Sequence, residues 1–279
     1  MRRTLPNFLI IGAQKAGSSW LARVLRQHPD VFMAKDELHF FDKDYNWKKG
    51  LDWYAEFFRD AAGHAAVGEK TPDYLWAHGR GVEGHLPCVH ENIHRTLPDV
   101  RLIAVLRDPV ERAISAAKHI LRSGRISPRH SLDDLLLGPA SDLVAGHGVL
   151  EYGQYAHQLE AYRELRGSDR LLVLVFEEDI VQQPTRGLTQ VCHFLEIEPL
   201  LSADELPAAE NENLSSRAGL LAGYYLPRLR PLVARLDRRL PGRLAGPSPE
   251  TRDALYDFYR EDNERLFELL GRRIPSWQR

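Results

Sequence analysis

A short segment near the N terminus has the composition of an anion-binding loop. Residues 12–19 read Gly-Ala-Gln-Lys-Ala-Gly-Ser-Ser, so glycines, a lysine and two hydroxyl side chains stand close together. An apolar run precedes the segment and an amphipathic pattern follows it, which predicts a strand, a turn and the start of a helix. Backbone N–H groups in such a turn and at a helix N terminus converge on anions. We therefore expect residues 12–19 to bind a phosphate or a similar group.

The order of residues in this loop differs from that in kinases and ATPases. In those proteins a Ser or Thr directly follows the loop lysine and holds Mg²⁺. Here Ala16 follows Lys15, and Gly17 comes after the lysine instead of before it. A P-loop kinase or NTPase stays open as an alternative, and it predicts a requirement for Mg²⁺.

Three further side chains have the types that proton transfer and group transfer need. Glu37 and His39 stand two residues apart, on one face if the segment is extended, and Lys70 lies in the sequence Glu-Lys-Thr-Pro. A carboxylate can remove a proton, while imidazole and ammonium groups can orient that carboxylate or stabilise developing negative charge. Taken singly, each residue is also typical of a solvated surface, with Glu37 and His39 forming an exposed ion pair.

A second candidate phosphate contact follows another predicted strand. Arg107 directly follows the apolar run 101–106. A helix is predicted next, because Asp108 can cap it and Glu111 completes a capping-box spacing. Ser115 lies two turns into that helix. Arginine presents a planar fork of donors to phosphate oxygens, and a serine hydroxyl can add one more donor.

The elements that must position these residues alternate along the chain. Apolar runs predict strands at 7–11, 65–68, 101–106 and 171–176. Helical patterns predict helices at 18–27, after residue 108, at 184–195 and at about 250–270. Strands that alternate with helices predict an α/β fold with a parallel, right-handed, doubly wound sheet.

Together these segments resemble a known family. The pattern G-x-x-K-x-G-[ST]-[ST] at 12–19, the arginine and serine at 107 and 115, and the pattern E-x-H-F-F-D at 37–42 are similar to those of sulfotransferases that use 3′-phosphoadenosine 5′-phosphosulfate (PAPS). They resemble the branch that includes heparan sulfate 3-O-sulfotransferases and bacterial carbohydrate and natural-product sulfotransferases. The resemblance implies a three-layer α/β/α fold with a central parallel sheet and a P-loop-like phosphosulfate-binding loop, in a single domain over 1–279.

The resemblance also implies roles for particular residues. PAPS would be the sulfuryl donor and adenosine 3′,5′-bisphosphate (PAP) the product, with no metal. Glu37 matches the family's catalytic base, and His39 would orient it. Lys15 matches the lysine at the bridging oxygen, and Lys70 matches a second lysine near the transferred group. The residues implied to bind the cofactor are Lys15, Ala16, Gly17, Ser18, Ser19, Trp20, Arg107 and Ser115.

Two departures from the family bear on the cofactor and the acceptor. The animal polysaccharide enzymes carry a basic K-G-R-x-H-P loop near the C terminus, whereas residues 242–249 here read Gly-Arg-Leu-Ala-Gly-Pro-Ser-Pro. Arg243 and Arg217 are the candidates to replace that loop. No strip dense in Lys and Arg is evident, which favours a small or weakly charged acceptor over heparan. We expect a hydroxyl acceptor before an amine, and the same base and lysines could serve either. Aromatic residues between Trp47 and Phe58 suit either an acceptor site or core packing.

The composition limits the remaining possibilities. The chain has 37 basic and 39 acidic residues, and its net charge of −2 predicts neither nucleic acid nor an anionic membrane as a partner. No apolar stretch approaches the roughly 20 residues of a membrane span. Two cysteines, with 30 Arg against 7 Lys, favour a cytoplasmic enzyme of bacterial origin acting on a small molecule or glycan. A non-catalytic nucleotide-binding protein on this fold stays open, and it would not need Glu37.

Overall fold

The chain divides into two compact units. A computed structural model describes residues 3–78, 84–167, 169–199, 216–226, 228 and 244–277. The first unit comprises Met1–Asp108, Tyr155–Ala209 and Asp262–Arg279, and the second comprises Pro109–Gln154 and Glu210–Glu261. The single domain expected over 1–279 stays a prediction.

The first unit is built on a five-stranded parallel sheet. Its strands are β1 (Phe8–Gly12), β2 (Val31–Met33), β3 (Ala66–Lys70), β4 (Arg101–Leu106) and β5 (Leu171–Val175). They lie in the order β2-β3-β1-β4-β5, and every neighbouring pair is parallel. The predicted α/β fold with a central parallel sheet is therefore confirmed.

The strands differ from the sequence predictions mainly at β2 and β3. The observed β4 has the predicted bounds, β1 is shifted by one residue at both ends, and β5 ends one residue earlier than predicted. Strand β3 runs two residues further than predicted, through Glu69 and Lys70, because pairing with β1 extends to Lys70. The short β2 was not predicted, since three residues are too few to show a strand periodicity.

Helices flank the sheet and build the second unit. The described helices are α1 (Ser18–Leu25), α2 (Asp44–Trp47), α3 (Gly50–Glu56), α4 (Val89–Thr96), α5 (Pro109–Ser123), α6 (Leu132–Leu136), α7 (Asp142–Ala145), α8 (Tyr155–Arg166), α9 (Pro184–Leu195), α10 (Arg217–Tyr225) and α11 (Pro249–Leu270). Short 3₁₀ turns occupy Pro72–Leu75, Glu151–Gly153 and Pro275–Trp277, and a π-helical turn occupies Phe176–Gln182. Among these helices none is both long and apolar enough to cross a membrane.

The central strands bury side chains on both faces. Leu9 and Ile11 belong to one core with residues of α4 and α8, whereas Phe8 and Ile10 belong to a second core with residues of α1 and α9. This alternation follows from the two-residue period of a strand. Helices therefore cover both faces of the sheet, which confirms the three-layer α/β/α arrangement for the first unit.

The second unit has an apolar core of its own. Ile114 of α5, Leu135 of α6 and Tyr259 of α11 are buried in it. A capping box starts α6, in which Ser131 Oγ accepts from the backbone N–H of Asp134 at 3.1 Å. Ser115 belongs to this unit.

Candidate active site

Several residues predicted to act in catalysis or in phosphate binding lie at the carboxyl ends of three adjacent strands. The loop 12–19 follows β1, Lys70 ends β3, and Arg107 follows β4 directly. Strand β1 pairs with β3 on one side and with β4 on the other, and Ile10 is opposite Lys70. Carboxyl ends of parallel strands meet at one edge of the sheet, where α/β proteins bind their ligands.

The loop 12–19 bends sharply before α1. Gly17 precedes the helix with a φ of 93°, in the left-handed region that favours glycine. A side chain at this position would also collide, because a Cβ on Gly17 would lie 2.6 Å from Phe176 Cδ2. The first N–H groups of an α-helix lack intrahelical acceptors and carry partial positive charge, so the start of α1 at Ser18 and Ser19 suits an anion.

Arg107 lies against this loop. Its Nη1 donates to the Lys15 carbonyl oxygen at 3.2 Å, and its guanidinium carbon lies 5.2 Å from the centre of the Phe176 ring. The Arg107 Nε is buried and has no hydrogen-bond partner in the described structure. An unsatisfied buried donor is costly, so a ligand oxygen here would relieve it. This observation fits the predicted phosphate contact.

Three other residues were predicted to contact the cofactor, namely Ser115, Arg217 and Arg243. Ser115 lies half-buried on α5 in the second unit. Arg217 begins α10, is exposed, and donates to the Arg129 carbonyl oxygen at 3.5 Å. Arg243, the other candidate for the closing contact, lies outside the described residues. The roles proposed for all three stay predictions.

Glu37, His39 and Lys70 come together in the first unit. The Lys70 ammonium donates to Glu37 Oε1, and it also lies 3.1 Å from Ser19 Oγ of the anion loop. His39 Nε2 lies 3.5 Å from Glu37 Oε2. The carboxylate therefore sits between two cationic groups, one of which reaches the loop.

These neighbours set the charge states of the acid and the imidazole. Burial on its own raises the pKa of Glu37, but hydrogen bonds and charge from His39 and Lys70 outweigh it and lower the pKa from 4.5 to about 2. Burial on its own lowers the pKa of His39, but hydrogen bonds to Asp42 and Glu37 and the charge of Asp42 raise it from 6.5 to about 10. At neutral pH Glu37 is ionised and His39 is protonated.

Asp42 is a site residue to which the sequence analysis assigned no role. His39 Nδ1 lies 2.9 Å from Asp42 Oδ2, so a protonated His39 donates to this fully buried carboxylate. Lys43 Nζ lies 3.5 Å from the same oxygen. Asp42 is the last residue of the E-x-H-F-F-D pattern, so the sequence did contain it. The spacing alone does not show that the chain reverses and brings Asp42 to His39.

The described residues include one group whose donor atoms are close enough to share a metal ion. Atoms of His39, Asp42 and Asp73 all lie within 4.8 Å of one another. Burial, and then the charge of Asp42, raises the pKa of Asp73. A metal would need a neutral His39, and the raised pKa of that imidazole opposes this. The contacts of His39 with Asp42 and Glu37 therefore favour a protonated imidazole over a metal ligand. The expectation of a metal-free enzyme stays a prediction.

The aromatic residues between 47 and 58 divide between core and surface. Tyr54 is fully buried and stacks on Phe40 at 4.5 Å between ring centroids, and Trp47 lies 5.1 Å from the same ring. Phe57, in contrast, is 36% exposed. Lys49 Nζ lies 4.3 Å from the centre of the Trp53 ring. Core packing therefore accounts for some of these side chains, and others face solvent.

The first unit is thus an α/β unit in which Glu37, His39 and Lys70 lie beside the loop 12–19. Residues 5–213 match the family of the sulfotransferase domain, and the chain belongs to that family. The family predicted from the sequence is thereby confirmed.

Two mammalian relatives are similar over nearly the whole chain. Mouse (Mus musculus) heparan sulfate glucosamine 3-O-sulfotransferase 3B1 is 28% identical, over 97% of this chain and 64% of its own length. Human (Homo sapiens) heparan sulfate glucosamine 3-O-sulfotransferase 6 is 29% identical, over 97% of this chain and 73% of its own length. The chain thus spans less than two thirds of the mouse protein.

A solved bacterial structure has a similar fold. The sulfotransferase from Alicyclobacillus acidocaldarius superposes with a TM-score of 0.71 and 26% identity. The match covers 99% of this chain and all of the other. The likeness therefore extends over both units of the chain.

Proposed function

We propose that the chain transfers the sulfuryl group of PAPS to a hydroxyl by in-line displacement, with Glu37 as the base. One observation carries the proposal: Lys70 contacts both the Glu37 carboxylate and Ser19 of the anion loop. An acid–base group and a donor-binding loop are thereby joined through a single cation. Membership of the sulfotransferase family supports the same reaction.

In this mechanism each residue acts on a charge that changes during transfer. Bound PAPS supplies an activated sulfuryl group. Glu37 accepts the proton of the acceptor hydroxyl, and His39, held by Asp42, keeps the carboxylate oriented. Lys70 shifts from Glu37 toward the transferred group, which restores basicity to the carboxylate. Lys15 stabilises negative charge on the departing phosphate.

The donor site would use the loop and the arginine after β4. Backbone and side-chain donors of the loop would face the 5′-phosphosulfate, at Lys15, Ala16, Gly17, Ser18, Ser19 and Trp20. The Arg107 guanidinium, whose buried Nε has no described partner, would bind the 3′-phosphate. The second donor expected at Ser115 stays a prediction. These assignments are the ones predicted from the sequence.

A glycan hydroxyl is the acceptor that we propose. The mammalian relatives are named as enzymes of heparan sulfate glucosamine. In this chain Tyr45 is 59% exposed, and Lys49 lies over Trp53 and pairs with no carboxylate among the described residues. Sugar rings stack on such aromatic faces. An amine acceptor stays open as the alternative, and the cytoplasmic location and the bacterial origin stay predictions.

Radiolabelled PAPS tests the reaction. The protein is incubated with EDTA and a panel of chito-oligosaccharides and heparosan oligosaccharides, and label on the sugar is measured. We expect transfer by the wild type. Glu37→Gln should reduce turnover by about a hundredfold or more, because a positioned base contributes roughly that much. Asp36→Asn is the matched control, since Asp36 is an exposed neighbouring carboxylate.

The other two functions predict different results. A kinase or NTPase would use ATP with Mg²⁺ and would not transfer the sulfuryl group of PAPS. The match to the sulfotransferase family argues against that function. A non-catalytic nucleotide-binding protein would bind PAPS but label no acceptor. Turnover by Glu37→Gln at the wild-type rate would remove Glu37 as the base while leaving the transferase activity in place.

A further inference from the structure

The backbone of the segment that carries Glu37 is held by side-chain hydroxyls. Thr71 Oγ1 accepts from the backbone N–H groups of Leu38 at 3.1 Å and His39 at 3.4 Å. Tyr74 OH accepts from the N–H of Phe40 at 2.9 Å. Both hydroxyls lie just beyond β3, so residues distant in sequence fix this segment.

His39 has a backbone conformation that requires such support. Its φ is 48°, in the left-handed region that residues other than glycine rarely adopt. Asn46 Nδ2 donates to the carbonyl oxygens of Leu38 at 3.0 Å and His39 at 3.3 Å. The N–H and C=O groups of His39 are therefore both held, and its ring is directed between Glu37 and Asp42.

Glu69 lies behind the two hydroxyls and is fully buried. It accepts hydrogen bonds from Thr71 Oγ1 at 2.7 Å and from the hydroxyls of Tyr74 at 2.8 Å and Tyr54 at 2.9 Å. Burial raises the pKa of Glu69, and the hydrogen bonds from Thr71, Tyr54 and Tyr74 act in the opposite direction. In these hydrogen bonds the hydroxyls donate and the two carboxylate oxygens accept. The hydroxyl protons of Thr71 and Tyr74 thus point at Glu69, and their lone pairs are left to face the N–H groups of the segment.

We propose that Glu69 is a positioning residue for the base: by orienting the Thr71 and Tyr74 hydroxyls, it fixes the backbone of residues 38–40 and hence the geometry of Glu37 and His39. Glu69 touches no group that we place against the donor or the acceptor. The inference rests on the proposed function for its effect on turnover, but its structural part does not.

The alternative is that Glu69 only stabilises the core. The two roles separate because Glu69→Gln replaces one acceptor oxygen by an NH2 donor while nearly preserving the shape of the side chain. The Gln amide must donate where the carboxylate accepted, so it turns at least one hydroxyl proton toward the segment. A positioning role then predicts lost order in residues 38–40 without a general loss of stability, whereas a purely structural role predicts a lower melting temperature with no local effect.

The experiment measures turnover, donor binding and local hydrogen exchange in the full chain. For Glu69→Gln we expect kcat with radiolabelled PAPS to fall about tenfold to a hundredfold, since small misplacements of a catalytic group have effects of that size. PAP affinity should stay within about twofold, because the loop is untouched. Amide exchange in a peptide covering residues 36–42 should become faster than in wild type.

Further variants keep the test decisive if Glu69→Gln folds poorly. Thr71→Val removes one oriented hydroxyl and should reproduce both effects, whereas Thr71→Ser retains it and should preserve activity. Thr96→Val is the matched control, since its hydroxyl bonds only within α4, to the Asn92 carbonyl oxygen.

Each outcome bears on a different statement. Unchanged exchange at 36–42 in both Glu69→Gln and Thr71→Val overturns the inference, as does exchange that rises equally along the whole chain. If the wild type transfers no label but the local exchange still rises, the proposed function fails and the positioning role stands.

Discussion

At the scale of single residues, the charge of Glu37 is the central feature of the site. Two cations hold this carboxylate ionised, yet the same cations make it a weak base. Lys70 contacts Ser19 of the loop as well as Glu37, so a donor in the loop would compete for the ammonium group. Basicity at Glu37 would then rise when the donor is bound, which links proton removal to the presence of the sulfuryl group.

Lys70→Met tests this link through pH dependence. Removing a cation raises the pKa of Glu37 from about 2 toward the ordinary value of 4.5, so the carboxylate is lost to protonation at a higher pH. We expect kcat/KM of the variant to fall as pH decreases between about 6 and 4, where the wild type stays level. We also expect kcat to be about a hundredfold lower, because charge on the transferred group loses a partner.

Lys48→Met provides the control for this experiment. Lys48 is an exposed lysine paired with Asp44 outside the site, so its loss should leave the pH profile unchanged. If the acidic limb of Lys70→Met coincides with that of the wild type, Lys70 does not set the pKa of Glu37.

At the scale of elements, the connection between β1 and α1 sets the backbone conformation of the proposed donor loop. Gly17 has a left-handed φ and lies against Phe176, and the Arg107 guanidinium lies near that same ring. Phe176 follows β5, the edge strand next to β4. A change in the loop would therefore disturb the arginine as well as the backbone donors.

Gly17→Ala should weaken donor binding more than its backbone strain alone explains. The left-handed conformation costs an alanine about 1–2 kcal/mol, and the new Cβ must also displace Phe176. Gly63→Ala is a matched control, because Gly63 has the same φ of 93° but open space around it. Melting temperature and PAP titration measure both variants. Equal losses in the two would show that the contact with Phe176 is unimportant.

At the scale of the whole molecule, donor binding should stabilise the native state without metal. PAP at about 100 times its Kd should add roughly 2.7 kcal/mol to the free energy of unfolding, which is measurable as a thermal shift in the presence of EDTA. Arg107→Ala should abolish most of the shift, because the guanidinium is the proposed partner of the 3′-phosphate. Arg101→Ala is the control, since Arg101 lies at the opposite end of β4 and pairs with Glu196.

The opposite result would point to another class of protein. A shift produced only by ATP with Mg²⁺ would contradict the donor assignment and favour a kinase or NTPase. A shift with PAP that survives in Arg107→Ala would keep the donor but move the 3′-phosphate elsewhere.

Much of the framework was predictable because its signals are local. Buried strands appear as continuous apolar runs, and β4 and α9 have the predicted bounds. The loop between β1 and α1 was predictable from its glycines and from the apolar and amphipathic patterns on either side of it. Strand β2 is too short to show a period, and the extension of β3 through Lys70 depends on pairing with β1, which no local pattern encodes.

The sequence by itself determined the fold class, and it identified the loop 12–19 and Glu37, His39, Lys70 and Arg107 as candidates for the site. Only the tertiary structure decided which of them meet. The order of the strands places Lys70 beside the loop, while a chain reversal brings Asp42 to His39. The sequence predicted no role for Glu69, and the strand predicted before it ended at residue 68. In the structure Glu69 lies in β3 and accepts hydrogen bonds from three hydroxyl groups. The reason is physical: residue types and periods are local properties, whereas contacts between distant segments arise when the core is packed.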